Sequence, residues 1–151
     1  MINSFKGKYE FLSNFSESFV MMSGIVYPTV EHAYQASKTN NPVERADIAI
    51  VGDPRMAKKL GRKVTIASDW DNIRLIVMFG LVHQKFSVCV DLTRKLVSTR
   101  QEHLVEGNYW HDNFFGDCYC EKCRDIPGEN HLGRILMKVR DRIVRRLGLD
   151  E

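Results

Sequence analysis

Residues 27–38 constrain the fold more than any other segment, because they begin like a helix and carry several reactive side chains. Thr29 suits a helix N-cap, where its hydroxyl accepts a backbone N–H that the helix leaves unpaired. Pro28 before it holds the entering chain extended. The pattern therefore predicts a helix that begins after Thr29. At 3.6 residues per turn, four polar side chains share one stripe of this helix: Glu31, Tyr34, Gln35 and Lys38.

The spacing leaves two interpretations of this polar stripe open. A solvated face would gain a few tenths of a kcal/mol from the ladder of Glu31, Gln35 and Lys38. A functional face would instead bring a carboxylate, a phenol, an amide and an amine to one site. Motifs elsewhere in the chain favour the functional face.

The chain has 151 residues, enough for one domain with its own core. We therefore predict a single domain over residues 1–151. Its content of 44% hydrophobic and 27% charged residues is typical of globular proteins. The sequence shows neither a signal-peptide pattern nor an apolar run of about twenty residues. We therefore expect a cytoplasmic protein that has no membrane partner.

Short strands and turns are predicted at the N-terminus. Residues 5–15 mix aromatic residues with Ser, Asn and Gly, which favours strands and turns. Ser23-Gly24 lies between two β-prone runs, residues 18–22 and residues 25–27, and predicts a hairpin. A small antiparallel sheet should thus come directly before the helix that follows Thr29.

A second helix has clear boundary signals. Asp53 suits its N-cap and Pro54 its first position, since proline has no N–H to leave unpaired there. Gly61 is predicted to end the helix in a left-handed conformation. Met56 and Leu60 are its predicted core residues.

Helices also dominate the rest of the chain. A long helix is predicted from about Trp70, with Gly80 indicating close helix contact, and a short one over residues 88–97. Residues 103–105 suggest a brief strand, and residues 130–147 the last helix. The apolar stripe of that helix is Leu132, Ile135, Leu136, Val139 and Ile143. The predicted fold class is α+β, mostly helical with a small N-terminal antiparallel sheet.

Residues 108–128, named here the cysteine loop, alternate carboxylates with aromatic rings. A loop of this length favours a binding role. Rings stack on planar bases, and carboxylates stabilise positive charge or transfer protons. This combination suits cleavage of a bond between a sugar and a nitrogenous base. The alternative is that Trp110, Phe114 and Phe115 anchor the loop in the core.

Several ordered blocks resemble the NADAR family, which is typified by YbiA-like N-glycosidases. Residues 27–38 match its pattern aromatic-Pro-Thr-x-Glu-His-x-aromatic-Gln-Ala-x-Lys. The other blocks follow in the family's order: Leu12-Ser13-Asn14-Phe15, residues 57–62, residues 77–86, Asn130-His131-Leu132-Gly133 and residues 135–140. The resemblance covers nearly the whole chain.

The resemblance implies a compact α+β domain that hydrolyses N-glycosidic bonds and needs no cofactor for catalysis. It implies two substrate classes. One comprises phosphoribosyl-amine intermediates of riboflavin synthesis, and the other is ADP-ribosylated guanine, including guanine in nucleic acid. Both present a sugar, a nitrogen leaving group and a phosphate, so the sequence does not separate them.

Three catalytic residues are carried over from the family by position. Glu31 matches its essential glutamate, Asp112 its loop aspartate, and Lys38 a lysine that attacks the anomeric carbon of the sugar. Glu31 in the first helical turn would be favoured in its ionised form by the helix dipole. Lys38 must be neutral to act as a nucleophile, which requires burial or a cationic neighbour.

Seven residues are predicted to bind the substrate: Asn14, Tyr34, Gln35, Arg62, Phe115, Asp117 and Asn130. We place Arg62 near a phosphate group, with Lys85 as a further phosphate candidate or else a solvated surface residue. Asn14 would bind ribose or base, or else end a strand. Phe115 stands where relatives have tryptophan, which keeps a stacking face but removes the indole N–H.

Three cysteines in the cysteine loop resemble half of a structural zinc site, because Cys118, Cys120 and Cys123 fall within six residues. The fourth ligand would be Cys89, His111 or His131. Reduced cysteines without a metal are the alternative. A disulfide is disfavoured in a reducing cytoplasm.

Two functions from other classes stay open beside the enzyme. The departure at Phe115 is compatible with an ADP-ribose- or nucleotide-binding module that has lost catalysis. The cysteine loop and the basic last helix are compatible with a nucleic-acid-binding protein, whose binding would depend steeply on salt. The preferred partner is a small-molecule phosphoribosyl or ADP-ribosyl substrate.

Overall fold

The computed structural model describes residues 1–149 and is mostly helical, with two small two-stranded sheets. The elements follow in chain order: a 3₁₀ helix Gly7–Leu12, β1 Val20–Met22, β2 Ile25–Tyr27, α1 Val30–Ala36, α2 Pro42–Ile50, α3 Pro54–Gly61, α4 Trp70–Val88, α5 Val90–Ser98, β3 Gly107–Asn108, β4 Asp117–Cys118, a 3₁₀ helix Glu121–Cys123 and α6 His131–Arg146. The chain divides into two compact units, Asn14–Lys85 and a second unit that joins Met1–Ser13 to the chain from Phe86 onward. The predicted α+β class is confirmed, whereas the single domain stays a prediction.

The hairpin in the unit Asn14–Lys85 forms where the sequence predicts it. β1 and β2 pair antiparallel, with Val20 opposite Tyr27. Ser23 and Gly24 connect them with positive φ angles of 51° and 80°. Such two-residue turns match the twist of the paired strands. The turn residues therefore set the register, and Tyr27 becomes fully buried.

The segment before the hairpin is helical, so the prediction of strands over residues 5–15 is wrong. It contains the 3₁₀ helix Gly7–Leu12. Local hydrogen bonds join Tyr9 N to Lys6 O at 3.1 Å and Ser13 N to Glu10 O at 2.9 Å. Backbone groups satisfied within one turn need no partner strand.

The helix predicted after Thr29 is confirmed as α1, but its surroundings differ from a solvated face. The Thr29 hydroxyl accepts the backbone N–H of His32 at 3.1 Å. All seven residues of α1 are buried, since α2 and α3 both pack against this short helix. The interpretation of the polar stripe as solvated is therefore wrong. Because α1 ends at Ala36, Lys38 lies beyond the helix.

His32 ties α1 to the end of α2. Its ring Nδ1 lies 2.7 Å from the Thr29 hydroxyl, and its Nε2 lies 2.7 Å from the carbonyl oxygen of Val51. Burial lowers the pKa of the His32 imidazole, against the opposing effects of the Val51 carbonyl and the Asp53 charge. A neutral ring that donates through Nε2 and accepts through Nδ1 satisfies both contacts.

Helix α3 begins as predicted and ends differently. The Asp53 carboxylate accepts the N–H of Arg55 at 2.8 Å, which confirms the N-cap. Gly61 is the last helical residue rather than a left-handed stop. A Cβ atom built there would lie 2.0 Å from the side-chain oxygen of Gln35, so Gly61 lets α3 approach α1 closely. Met56 is 45% exposed and is not a core residue.

In the other unit, α5 packs against α6. The predicted apolar stripe of α6, Leu132, Ile135, Leu136, Val139 and Ile143, is buried. The basic residues of α6 face solvent except Arg140, whose guanidinium donates to the Thr99 hydroxyl at 2.8 Å. This hydrogen bond offsets part of the free-energy cost of burying the Arg140 guanidinium.

Within residues 1–149, no single helix has both the length and the apolar composition that crossing a membrane requires. One bent pair of consecutive helices, α4 and α5, meets those criteria only when the two are taken together.

Gly61→Ala is expected to lower the free energy of unfolding by about 1–3 kcal/mol, because an added methyl group overpacks the contact with Gln35. Chemical denaturation measures the change. Gly80→Ala is the matched control, since Gly80 lies within α4 with no atom within 4 Å of an added Cβ. There alanine should stabilise the protein by about 0.5–1 kcal/mol. A Gly61→Ala variant as stable as the parent would contradict the close packing.

Candidate active site

The predicted site residues fall into the two units. Asn14–Lys85 contains one group, Asn14, Glu31, Tyr34, Gln35, Lys38 and Arg62. The other unit contains a second group, Asp112, Phe115, Asp117, Asn130 and the cysteines Cys118, Cys120 and Cys123. Each group is built by its own local contacts.

Glu31 is a buried carboxylate fixed by two neighbours. Only 8% of its surface is exposed. The Gln35 side-chain amide, one helical turn later, donates to Glu31 Oε1 at 2.8 Å. The backbone N–H of Glu31 donates to the carbonyl of Asn14 at 3.2 Å. The structure thus brings three predicted residues together around one carboxylate.

One polar atom of the Gln35 side chain has no hydrogen-bond partner among the described residues. Its Oε1 is buried and accepts no hydrogen bond from the residues that the structure describes. A buried acceptor without a partner costs about 1–3 kcal/mol, so such atoms are rare in folded proteins. Gln35 Oε1 lies against Gly61, so the close packing of α3 on α1 leaves this acceptor unsatisfied.

Lys38 is half-buried, and its ammonium is disfavoured by its surroundings. Burial lowers the pKa of Lys38, the charge of Glu31 acts in the opposite direction, and the charges of Arg62 and Lys58 lower the pKa further. Lys58 is not among the predicted site residues, although it belongs to a basic cluster of the sequence that also contains Arg62. Its position four residues before Arg62 would have placed both on one side of α3.

Tyr34 and Asn14 are also buried. The Tyr34 ring packs against the Trp70 ring, with their centroids 5.1 Å apart. The Asn14 side-chain amide donates to the sulfur of Met78 at 3.4 Å. These contacts hold both residues inside the unit, while Arg62 lies exposed after the end of α3.

Lys85 is buried, so the alternative of a solvated surface lysine is wrong. Only 1% of its surface is exposed, and its Nζ donates to the hydroxyl of Ser16 at 2.8 Å. Burial lowers the pKa of Lys85 to about 7. The spacing of Met78, Leu81 and Lys85 on α4 would have indicated this burial, because positions three, four and seven apart share a face.

Asp112 shapes the first turn of the cysteine loop. Its Oδ1 accepts the backbone N–H groups of Phe114 and Phe115 at 3.1 and 3.0 Å. Asn108 brackets it, since the Asn108 side chain accepts from Asp112 N at 3.2 Å and donates to Asp112 O at 2.8 Å. Both of these bonds go to Oδ1, and the catalytic role of Asp112 stays a prediction.

The aromatic residues of the cysteine loop are only partly in the core. Trp110 is 54% exposed, so its interpretation as a core anchor is wrong. Phe114 and Phe115 are half-buried and meet edge to face, with ring centroids 4.8 Å apart. Phe114 also packs against the His131 ring at 4.5 Å.

Asp117 and Asn130 hold the cysteine loop in place. Asp117 Oδ1 accepts the N–H of Gly128 at 2.9 Å. Asn130 has a φ angle of 51° and bridges two backbone groups, accepting from Glu106 N at 3.0 Å and donating to Leu104 O at 2.9 Å. The substrate-binding roles of Asp117 and Asn130 stay predictions.

Four side chains in the cysteine loop could hold a metal ion. The sulfur atoms of Cys118, Cys120 and Cys123 and one ring nitrogen of His111 all lie within 4.8 Å of one another. Three residues were candidates for the fourth ligand, and of these His111 lies beside the three thiols. His131 instead lies 2.7 Å from the Glu129 carboxylate through its Nε2.

A separate cavity of about 660 Å³ carries none of the predicted catalytic or substrate-binding residues. Its lining includes Lys8, Tyr9, Lys95 and Arg100. This cavity is therefore not the candidate active site, which is defined by the positions of the predicted catalytic residues.

Comparison with known proteins identifies the family of the chain. The profile of the NADAR domain matches residues 3–144. The chain belongs to the NADAR family. This NADAR protein is 36% identical over 146 residues to an N-glycosidase of Nostoc punctiforme, a match that covers 93% of this chain and 90% of the relative. It is 29% identical over 141 residues to the N-glycosidase YbiA of Escherichia coli, a match that covers 89% of this chain and 82% of YbiA.

These relatives place the NADAR protein in an enzyme family of hydrolases that act on N-glycosyl bonds. A match of 34% identity links it to a chloroplastic riboflavin biosynthesis protein PYRR of Zea mays, where it covers 87% of this chain but 23% of the maize protein. The NADAR chain thus spans less than a quarter of that longer relative.

The NMR structure of E. coli YbiA confirms the fold. It superimposes with a TM-score of 0.83 at 27% sequence identity, covering 100% of the NADAR chain and 89% of YbiA. The predicted YbiA-like α+β architecture is therefore correct.

Lys85→Met is expected to stabilise the protein most at or below pH 7. The folded-state pKa of Lys85, about 7, lies below its ordinary value of 10.5, so the unfolded chain binds more protons between those values. The stability that Lys85 contributes therefore rises with pH across this window, by at most about 1.4 kcal/mol per pH unit. Methionine removes this dependence, so its advantage should shrink towards pH 10.

Urea unfolding at several pH values between about 6 and 11 measures this difference, because that range brackets the shifted pKa of about 7 and the ordinary value of 10.5. Lys59→Met is the matched control, because Lys59 is an exposed lysine of α3. Replacing this exposed side chain should change the free energy of unfolding by no more than about 0.5 kcal/mol. A Lys85→Met profile parallel to that of the parent would contradict a neutral buried lysine.

Proposed function

We propose that this NADAR protein hydrolyses the bond between a nitrogenous base and a ribose 5-phosphate or ADP-ribose moiety. The buried Glu31 carboxylate, oriented by Gln35 and close enough to Lys38 for its charge to act on that amine, is the observation that carries the proposal. The names of two relatives, the riboflavin biosynthesis proteins of Zea mays and Vibrio vulnificus, support a ribosyl phosphate substrate.

Glu31 would act on the positive charge that develops at the sugar. Departure of the base leaves an oxocarbenium-like centre at the anomeric carbon. A fixed carboxylate in a site that excludes water stabilises such a charge more than one in bulk solvent. Glu31 then accepts a proton from the water that attacks the same carbon.

Lys38 offers a covalent route to the same product. The lone pair of the Lys38 amine would attack the anomeric carbon while the bond from that carbon to the base breaks. The leaving nitrogen keeps the electron pair of the broken bond and takes up the proton that the lysine nitrogen loses. Water then releases the sugar from the lysine. Burial and the charges of Arg62 and Lys58 favour the neutral amine that this step needs.

Arg62 and Lys58 would also bind the phosphate of the substrate. Both charges act on Lys38, so a phosphate bound by them would lie near the proposed nucleophile. A guanidinium is well suited to bind two phosphate oxygens at once. The proposed catalytic role of Asp112 rests separately on its match to the loop aspartate of the family.

Glu31→Gln is expected to lower turnover by at least about 10²-fold, because glutamine keeps the shape of glutamate but cannot carry its charge or take a proton. The substrates to compare are ribosylamino-pyrimidine phosphates and ADP-ribosylated guanine. Chromatography would detect free ribose phosphate or ADP-ribose. Glu10→Gln is the control, since Glu10 is an exposed acid of the N-terminal 3₁₀ helix.

Two outcomes would overturn the proposal. One is an active Glu31→Gln variant with a native circular dichroism spectrum. The other is tight binding of both substrates without release of any product, which would make the protein an ADP-ribose- or nucleotide-binding module.

Borohydride added during turnover is expected to trap a sugar adduct on Lys38. The neutral amine would form an imine with the opened sugar, and reduction makes that bond permanent. Peptide mass spectrometry locates the adduct. Lys38→Arg should lose it, while the exposed Lys59→Arg variant keeps it. Turnover without any trapped lysine would leave Glu31-assisted attack by water as the route.

A further inference from the structure

We propose that His111, Cys118, Cys120 and Cys123 bind one zinc ion and thereby fix the cysteine loop. Their four ligand atoms all lie within 4.8 Å of one another. The site lies in the unit that contains α5 and α6, and the proposed metal takes no part in the N-glycosidase reaction itself.

The two distances from His111 Nδ1 to the sulfur atoms of Cys120 and Cys123 fit a tetrahedral ion. With Zn–S of about 2.3 Å and Zn–N of about 2.0–2.1 Å, a tetrahedral site separates a nitrogen from a sulfur by about 3.5 Å. His111 Nδ1 lies 3.4 Å from the sulfur of Cys123 and 3.3 Å from that of Cys120. The imidazole therefore faces two thiols through Nδ1 at ligand spacing.

The backbone at His111 is shaped for this contact. Its φ angle is 70°, a left-handed conformation that few residues other than glycine adopt. Such a conformation costs free energy and persists where the surrounding structure requires it. It lets the N–H of His111 donate to the sulfur of Cys118 at 3.3 Å while the ring turns to the other two thiols.

A second layer of hydrogen bonds positions the cysteines. The backbone N–H of Cys120 also donates to the sulfur of Cys118. The side chain of Asn113 accepts the N–H of Cys118 at 2.9 Å, and Cys123 N donates to Cys120 O at 3.1 Å. N–H groups directed at sulfur stabilise thiolate charge, as the outer shell of a metal site does.

The donor set selects zinc among common ions. Three thiolates and one imidazole are soft ligands, unlike the oxygen ligands that Mg²⁺ and Ca²⁺ require. Four protein ligands leave no open position for water, which is the arrangement of a structural site. On binding, each thiol loses a proton, so the three thiolates and Zn²⁺ leave one net negative charge.

The proposed ion would bind residues at both ends of the segment 118–123, which has little regular secondary structure. Cys118 ends the two-residue strand β4, and Cys123 ends a 3₁₀ helix of three residues. His111 directly precedes Asp112 in the chain. Four bonds to one ion would hold the turn at Asp112 where short elements alone give few contacts.

Protein purified with a reductant and without chelator is expected to contain zinc equimolar with the chain, measured by plasma mass spectrometry. Cys120→Ser should lose the metal, because Cys120 is a proposed ligand and only half-buried, so serine disturbs packing little. Cys89→Ser is the matched control, since Cys89 is equally half-buried but outside the cluster. That variant should keep its full zinc content.

Cobalt substitution reports the ligands even where a variant loses stability. The Co²⁺ form should show the intense visible bands of tetrahedral coordination together with thiolate charge-transfer bands. His111→Ala should shift the visible bands and keep the charge-transfer bands. Chelation should lower the melting temperature of the parent and leave that of Cys120→Ser unchanged.

Three results would each overturn the proposal. They are zinc-free protein with three reactive thiols, a disulfide between two of the loop cysteines, and zinc content that Cys120→Ser leaves unchanged.

Discussion

The arrangement around Glu31 depends on the hydrogen bond that the buried side-chain amide of Gln35 donates to its carboxylate. Its nitrogen donates to the Glu31 carboxylate at 2.8 Å, and its oxygen faces Gly61, where a side chain could not fit. One residue thus joins the orientation of a carboxylate to the packing of α3 on α1. A buried carboxylate without such a donor would be costly, so the same contact serves folding and chemistry.

Burial also disfavours the charged form of two lysines. Lys38 and Lys85 both have lowered pKa values, and burial is the first cause in each case. At Lys38, a neutral amine beside cationic side chains would combine the proposed nucleophile with the proposed phosphate-binding charge. In the cysteine loop and beside it, the side-chain amides of Asn108 and Asn130 instead form hydrogen bonds with backbone groups. Irregular backbone can thus be buried without regular structure.

Local signals in the sequence were reliable where their cause was local. Thr29 and Asp53 cap helices, and Ser23-Gly24 makes the hairpin turn, because each effect acts within about four residues. Signals that concern packing failed more often. Gly61 looked like a helix stop and is a contact residue, whereas Gly80 looked like a contact residue and faces solvent. The glycine itself does not encode which neighbour it meets.

The sequence by itself determined the family, the helical α+β class and the residue types available for chemistry, since these follow from ordered motifs and short-range periodicity. Only the tertiary structure decided that Glu31 is buried, and that His111 rather than Cys89 or His131 lies beside the thiols. Burial and ligand geometry depend on segments far apart in the chain. Their contacts set the local dielectric, and with it the protonation state that gives a carboxylate or an amine its chemistry.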